Sequence, residues 1–230
     1  MARRRKALFH DRQDAGRLLA DRLADEPYRD PIVLGLPRGG VPVAAEVADR
    51  LVCPLDVMMV RKLGAPGQEE LAIGAVVDGA GAKIVLNDDV VAAFDVDPEF
   101  IQKSAERELA LIERHRRLWL AGRPFPPLAG WTVIIVDDGI ATGATARAAV
   151  LGVRRSRPAK IIVAVPVASR EALATLRQVA DDVIALVEPE MFNSIGNYYE
   201  DFSQVADDEV GQILHDHPAR LDARGRRDPA

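Results

Sequence analysis

Residues 131–149 read WTVIIVDDGIATGATARAA and carry the strongest indication of the fold. Residues 133–136 are continuously apolar and mostly β-branched, which predicts a central strand buried on both faces of a parallel sheet. Asp137 and Asp138 follow where the strand leaves the core, and a helix is predicted from Thr142. Because open α/β sheets bind ligands beyond the carboxyl ends of their strands, we expect a binding site here.

The segment after the two acids has the composition of an anion site. Ala141, Gly143 and Ala144 let a phosphate approach the backbone, and the free N–H groups at a helix start point toward it. Thr142 and Thr145 add hydroxyl donors. Two carboxylates beside a phosphate cradle suit a phosphorylated sugar, although two adjacent acids without such a loop would equally fit a charged helix start.

The rest of the chain alternates predicted strands and helices. Apolar runs predict strands over residues 32–34, 55–60, 160–165 and 182–186, and helical spacing predicts helices over residues 11–25, 41–51, 142–155, 169–180 and 206–215. A strand, a glycine-rich turn, a helix and a second strand form the βαβ unit of a parallel sheet. We therefore predict an α/β fold with helices on both faces of a parallel sheet.

A chain of 230 residues predicts one domain with additions, and we place that domain at 1–216 and a polar tail at 217–230. The glycine-rich residues 62–82 predict a flexible loop. Within it, a hairpin is expected from residues 72–77 and Lys83–Leu86 around Gly79-Ala80-Gly81. The pair Asp97-Pro98 is a typical helix start, and the helix over 97–119 has a charged face, including Arg116, that we expect to be solvated.

Composition argues against several functions. Thirty basic against 35 acidic residues give a net charge of −5, which disfavours a general nucleic-acid binder. No apolar run approaches the ~20 residues of a membrane span. The single cysteine, Cys53, excludes an intramolecular disulfide and fits a cytoplasmic protein. The basic start MARRRK is interpreted as a solvated tail, with an arm for nucleic acid or membrane as the less favoured alternative.

Residues 133–145, VIIVDDGIATGAT, resemble the ribose-phosphate binding motif of the type I phosphoribosyltransferases. In that family a hydrophobic strand precedes two acids and a Thr/Gly-rich loop. Gly139 departs from the pattern, because a larger apolar residue is more usual there. The resemblance covers most of residues 31–205 and implies that fold with a small C-terminal hood at 188–205. The helix over 97–119 is then an insertion, and the start of related uncharacterised bacterial proteins is similar to residues 9–16.

Two further segments resemble motifs of the same family. Pro37-Arg38-Gly39-Gly40 follows the first predicted strand and resembles the pyrophosphate loop, whose amides hold the leaving diphosphate. An Arg-Gly-Gly run alone would also fit a plain tight turn. Arg61-Lys62 resembles the start of the mobile catalytic loop of purine phosphoribosyltransferases, which shields the reaction from water. Two adjacent cations could also simply lie on the surface.

The resemblance implies an enzyme that transfers ribose 5-phosphate from phosphoribosyl diphosphate (PRPP), with Mg²⁺, to a nucleobase or similar nitrogen acceptor. The implied catalytic residues are Asp137, Asp138, Arg61 and Lys62. Asp137 and Asp138 accept the ribose hydroxyls and hold the metal directly or through water, and Asp138 assists proton removal. The implied PRPP-binding residues are Arg38, Gly39, Gly40, Ala141, Thr142, Gly143, Ala144 and Thr145.

The acceptor site is the least defined part of the sequence. The hood holds four aromatic residues, and a flat base could stack on them. We predict Phe192, Tyr198 and Asp201 as base-binding residues. The alternatives are Glu200 in place of Asp201, and rings that pack inside the hood. Nothing in the sequence identifies the acceptor.

The same sequence features also fit other functions. The main alternative is a regulatory protein of the same fold that senses PRPP or a nucleotide without turnover. A phosphohydrolase could use the same acids with Mg²⁺, whereas a dinucleotide enzyme is disfavoured because no G-x-G-x-x-G follows a strand. We expect small-molecule substrates, no nucleic-acid or membrane partner, and a homodimer, which is frequent in this family.

Overall fold

The structure is a computed structural model that describes residues 7–79 and 83–217, without the side chains of Glu69, Glu70 and Lys83. The basic start MARRRK lies outside the described residues. So do the middle of the predicted turn at 79–81 and, beyond His217, the predicted polar tail.

Helices and strands alternate along the described chain. The helices are α1 (Arg12–Ala24), α2 (Gly40–Leu51), α3 (Asp88–Ala93), α4 (Pro98–Leu120), α5 (Ala144–Arg154), α6 (Arg170–Leu176) and α7 (Asp207–Asp216). The strands are β1 (Pro31–Gly35), β2 (Leu55–Val57), β3 (Val60–Ala65), β4 (Gln68–Val77), β5 (Lys83–Leu86), β6 (Thr132–Val136), β7 (Lys160–Val167) and β8 (Asp182–Val187). A short 3₁₀ turn spans Ile195–Tyr198. None of the helices described is long and apolar enough to cross a membrane.

Five strands form a parallel sheet in the order β2-β1-β6-β7-β8. Alternate residues of β6 face opposite sides of this sheet, and all of them are buried. Ile134 and Val136 belong to the core covered by α1 and α2, whereas Val133 and Ile135 belong to the core covered by α5 and α6. The predicted α/β fold, with helices on both faces of a parallel sheet, is confirmed.

The chain after β2 differs from the prediction. The predicted strand over 55–60 is divided, because β2 ends at Val57 and β3 begins a second, antiparallel sheet of order β3-β4-β5. Most of the predicted flexible loop is therefore paired strand, and Leu63, Ile73 and Val76 are buried in the core. The predicted hairpin is present as β4 and β5. Movement of this sheet stays a prediction.

The long helix begins as its sequence indicates, because the Asp97 carboxylate accepts a hydrogen bond from the Glu99 N–H at 2.9 Å. Its charged face is not wholly solvated. Arg116 Nη1 lies 2.6 Å from Asp78 Oδ2, and its Nη2 lies 3.5 Å from Asp56 Oδ1. Arg123 Nη2 contacts the other Asp56 oxygen at 3.2 Å. We call these four residues the α4 ion network. It joins the helix to both sheets, so the prediction of a solvated Arg116 is wrong.

Candidate active site

The loops that follow β1 and β6 meet at one edge of the parallel sheet. These strands are neighbours, but the chain leaves β1 through α2 toward β2 and leaves β6 through α5 toward β7. Such a reversal of strand order opens a crevice beyond the carboxyl ends of the strands. The Leu36 N–H donates to the Val136 carbonyl oxygen at 2.8 Å, which holds the two loop starts together.

The Arg38-Gly39-Gly40 loop lies directly against the two acids. A Cβ atom at Gly39 would overlap the Asp138 carboxylate, and one at Gly40 would lie 2.7 Å from the Val136 carbonyl oxygen. The Pro37–Arg38 peptide bond in this loop is cis. The two glycines thus serve a close approach between loops, which a plain tight turn would not require.

Arg12 lies beside both acids but pairs only with Asp138. Asp137 Oδ1 accepts from the Asp138 N–H at 2.9 Å, and Asp138 Oδ2 accepts from Arg12 Nε at 2.8 Å. Burial raises the pKa of both carboxyls, and the charge of Asp138 raises that of Asp137 further. Arg12 opposes the effect at both residues. Two carboxylates beside one guanidinium leave unbalanced negative charge when both are ionised.

The predicted phosphate cradle is open and well anchored. Ser169 Oγ donates to the Ala141 carbonyl oxygen at 2.6 Å, and Gly143, with φ of 80°, precedes the first turn of α5. Thr142 and Thr145 are exposed. The N–H groups of the first turn of a helix have no intrahelical partner and attract an anion. The arrangement of Ala141, Thr142, Gly143, Ala144 and Thr145 can therefore hold a phosphate group.

The predicted cations are not all brought to the cradle. Arg61 and Lys62 are adjacent on β3, so their side chains point to opposite faces. Arg61 Nε donates to Glu108 of α4 at 2.8 Å. Lys62 lines a cavity of about 340 Å³ together with Thr142, Thr145 and Arg147. The structure thus places Lys62 near the cradle and Arg61 against α4.

Arg38 keeps its place in the loop beside the acids. One of its guanidinium nitrogens, Nη1, lies 3.8 Å from Asp207 Oδ1 at the start of α7. Its side chain is about one-third exposed, so a ligand in the crevice could still reach it.

The predicted residues of the hood lie close together, but their side chains contact other residues of the hood. Phe192 stacks on Tyr198 with ring centres 6.0 Å apart, and the Tyr198 side chain is buried. Tyr199 lies 5.3 Å from Phe9 and 5.0 Å from Phe202, again between ring centres. Asp201 accepts a hydrogen bond from the Ser203 N–H at 2.9 Å. These contacts fit the alternative of rings that pack the hood, and base binding by Phe192, Tyr198 and Asp201 stays a prediction.

Sequence reasoning missed Arg12 and Tyr199. Besides its contact with Asp138, Arg12 donates through Nη1 to the Ser203 carbonyl oxygen at 2.7 Å, and its guanidinium lies 4.0 Å from the centre of the Phe202 ring. Tyr199 donates its hydroxyl to the Asp138 carbonyl oxygen at 2.6 Å. The similarity of residues 9–16 to related proteins was the available signal, but it assigns no chemistry to Arg12.

Gly139 has a packing explanation. A Cβ atom at this position would lie 2.6 Å from Ile195 Cγ2 in the hood and 3.1 Å from Val167 Cγ1. Ile195 therefore occupies the space into which a larger residue at position 139 would extend. The departure from the family motif is matched by a hood residue and leaves the acids in place.

The residues present can supply two of the ligands of a hard cation. Among the described side chains, no group of three or more His, Cys, Asp or Glu could hold a metal ion. Asp137 and Asp138 supply adjacent oxygens with unbalanced charge. Mg²⁺ keeps several water ligands and is commonly bound by one or two carboxylates plus substrate phosphates, so two protein ligands are enough.

Comparisons with known proteins identify the family of the chain. The family model described as the phosphoribosyl transferase domain matches residues 8–202. "Putative phosphoribosyl transferase Rv0571c" of Mycobacterium tuberculosis is 47% identical over 207 residues, which cover 90% of this chain and 46% of that protein. The chain thus spans about half the length of the curated relatives it matches. The crystal structure of TT1426 from Thermus thermophilus is 45% identical, with a TM-score of 0.78, and the match covers 91% of this chain and 98% of that one.

Proposed function

The chain belongs to the phosphoribosyl transferase domain family, and from this premise we propose that it is a Mg²⁺-dependent phosphoribosyltransferase. It would transfer ribose 5-phosphate from PRPP to a nucleobase or similar nitrogen acceptor and release diphosphate. The observation that carries the proposal is the meeting of Asp137 and Asp138, the Arg38-Gly39-Gly40 loop and the open cradle at one edge of the sheet.

In this proposal the chain binds PRPP at three points. The cradle residues Ala141, Thr142, Gly143, Ala144 and Thr145 hold the 5′-phosphate through N–H and hydroxyl donors. The amides of Arg38 and Gly39 would face the diphosphate, since the Gly40 N–H already donates to the Leu36 carbonyl oxygen at 3.0 Å. Asp137, which is partly exposed, accepts hydrogen bonds from the ribose hydroxyls. Binding at three separated points orients the C1–oxygen bond that breaks.

Charge neutralisation is the main chemical task as diphosphate leaves. Asp137 and Asp138 would hold Mg²⁺ directly or through water, and the bound ion would supply positive charge as diphosphate leaves. Lys62 and Arg38 add positive charge from the chain itself. Arg61 is assigned a smaller part than the resemblance implies, because its guanidinium is engaged by Glu108.

Removal of the proton from the acceptor nitrogen is better assigned to Asp137 than to Asp138. A carboxylate paired with a guanidinium is a weak base, and Asp138 accepts from Arg12. Asp137 has no arginine partner among the described residues, and burial and the charge of Asp138 raise its pKa. The prediction of Asp138 in this role is therefore revised within the proposal.

A panel assay tests the proposal. The full chain is incubated with PRPP, Mg²⁺ and purine and pyrimidine bases, and diphosphate is measured with and without each base. Base-dependent diphosphate release supports a transferase, and Lys62→Met should reduce it. Arg50→Gln is a matched control, because it removes an exposed ion pair between α1 and α2.

The other outcomes separate the alternatives. PRPP binding without turnover across the panel would favour the sensing protein, and phosphate or diphosphate release without any base would favour a hydrolase. Absence of PRPP binding, measured by isothermal titration with Mg²⁺, would overturn the proposal. A cytoplasmic location and a homodimer belong to the same proposal, and sedimentation of the full chain tests the second.

A further inference from the structure

The guanidinium of Arg12 lies between the acid pair and the hood. Its Nε donates to Asp138 Oδ2 at 2.8 Å, and its Nη1 donates to the Ser203 carbonyl oxygen at 2.7 Å. The same group lies 4.0 Å from the centre of the Phe202 ring, a cation–π contact. The side chain is 12% exposed. One cation thus contacts a carboxylate at the sheet edge and two residues of the hood.

The start of the chain is bound to the hood by backbone hydrogen bonds. The N–H groups of Leu8 and Phe9 donate to the Tyr198 carbonyl oxygen at 3.0 and 2.9 Å. In return, the Glu200 N–H donates to the Phe9 carbonyl oxygen at 2.9 Å, and the Asp201 N–H donates to that of His10 at 2.8 Å. Residues 8–10 and 198–201 therefore form one hydrogen-bonded unit.

Local contacts fix the start of α1, whose first residue is Arg12. Asp11 caps α1 by accepting from the Asp14 N–H at 2.7 Å. A Cβ atom at Gly16 would lie 2.9 Å from Glu46 Cβ on α2, so this glycine allows the two helices to pack closely. The guanidinium therefore extends from the first turn of α1, a helix that is capped and packed closely on α2. A rigid element positions a functional group more precisely than a loop does.

We propose that Arg12 is a positioning residue that couples the acid pair to the hood, acting through Asp138. Under the proposed function, on which this inference rests, binding at the acids and the arrangement of the hood over the acceptor depend on each other. Arg12 itself contacts no substrate in this scheme. The N-terminal segment 8–12 then belongs to the functional site, although it lies more than 120 residues from the acids in sequence.

The first test needs no ligand. Hydrogen–deuterium exchange of the amides of residues 198–203 is measured in the wild type, in Arg12→Gln, in Asp138→Asn and in the double variant. Each single variant should raise exchange about tenfold, and the double variant should add little, because both changes break the same contact. Asp138→Asn is the decisive variant, since it leaves the backbone contact with Tyr199 intact.

Two results of the exchange experiment would contradict coupling of the acid pair to the hood through Arg12. Exchange in the hood within about twofold of the wild type in Asp138→Asn, or effects that multiply in the double variant, would show that Arg12 supports the hood alone. Arg50→Gln breaks another arginine–aspartate pair that involves α1 and should leave hood exchange unchanged. Arg12→Lys keeps the charge without the forked donors and should restore part of the protection.

A second test uses PRPP with Mg²⁺ and isothermal titration. Phe202→Leu removes the ring under the guanidinium without touching either acid, and it should weaken PRPP binding about fivefold. Unchanged affinity in Phe202→Leu would contradict the coupling, and this variant remains informative if Arg12→Gln does not fold. If the wild type binds no PRPP, the proposed function fails, while the exchange experiment still decides whether Arg12 couples the acids to the hood.

Discussion

The α4 ion network and the acid pair contain the same kinds of residue in different proportions. The network sets Asp56 and Asp78 against Arg116 and Arg123, whereas among the described residues the two aspartates of the site face one paired arginine, Arg12. Burial raises the pKa of all four aspartates, and the arginines oppose that rise. Counted over the part of the chain that the structure describes, the network has as many arginines as aspartates, whereas the site has one arginine for two aspartates.

The two charge balances fit different roles for the two regions. A buried ion pair with all its partners present links elements of the fold, and removing one partner leaves a costly unpaired charge. A pair of acids with too few cations is instead suited to bind a cation or hydroxyl groups from outside. The proportion of arginine to aspartate, more than burial itself, separates the structural cluster from the candidate active site.

The largest effect is expected from Arg116→Met, which leaves Asp78 without its arginine and Asp56 with Arg123 alone. The free energy of unfolding should fall by about 3–5 kcal/mol, as for other buried pairs broken on one side. Urea denaturation measures the change. Arg117→Met, at an exposed neighbouring position, is the control and should change stability by less than about 1 kcal/mol. Equally small losses of stability in Arg116→Met and Arg117→Met would contradict a structural role for the α4 ion network.

Asp137→Asn should change stability little and turnover strongly, the reverse of what is expected for a residue of the α4 ion network. The amide removes the cost of holding a negative charge in a half-buried site next to Asp138, so stability should stay within about 1 kcal/mol of the wild type or increase. PRPP-dependent turnover should fall about 100-fold or more, the range for loss of one electrostatic group at a reacting centre. Diphosphate release and urea denaturation are measured on the same preparation. A large loss of stability with retained turnover would reverse the roles of the two regions.

The pH dependence of stability sharpens the contrast. The folded-state pKa of Asp137 is raised well above 3.8 by burial and by the charge of Asp138, so the folded state binds more protons than the unfolded one. The contribution of this group is therefore complete below pH 3.8 and is lost as pH rises through the folded-state pKa. Asp137→Asn cannot titrate and should lack this loss. Denaturation of both proteins from about pH 4 to 8 measures the difference, and parallel curves would contradict it.

The smallest effect concerns packing at the site. Gly139→Val inserts atoms where Ile195 already lies, and it should destabilise the protein by about 1–3 kcal/mol. Ile195→Ala should recover part of the loss in the double variant, because the two residues compete for the same space. Thermal unfolding of the three variants measures this recovery. Strictly additive losses would show that Gly139 is required for another reason.

Local sequence was sufficient where the structure depends on neighbouring residues. The strand β6, the acids after it and the cradle follow from a β-branched run and from the small residues that begin α5. The start of α4 follows from its Asp97 cap and Pro98. By contrast, the glycine-rich chain after β2 predicted a loop, because only its partner strands show that Leu63 and Ile73 are buried.

Long-range pairing decided what local sequence could not. Arg12 and Arg116 both occur among many charged residues on helices, and nothing nearby distinguishes a buried arginine from a solvated one. Their partners lie at distant positions in the chain, Asp138 for one and Asp56 and Asp78 for the other. The same holds for the hood, where ring packing against Phe9 competes with base stacking for the aromatic side chains.

The α/β class and the position of the two acids and the small-residue loop after β6 follow from the sequence, because they depend on periodicity and on adjacent residues. Only the tertiary structure decided which cations meet those acids, since ion pairs form between side chains that folding brings together from distant segments. It placed Arg12 on Asp138, turned Arg61 toward Glu108 and left Lys62 beside the cradle. The charge balance of the site is therefore a property of the folded chain.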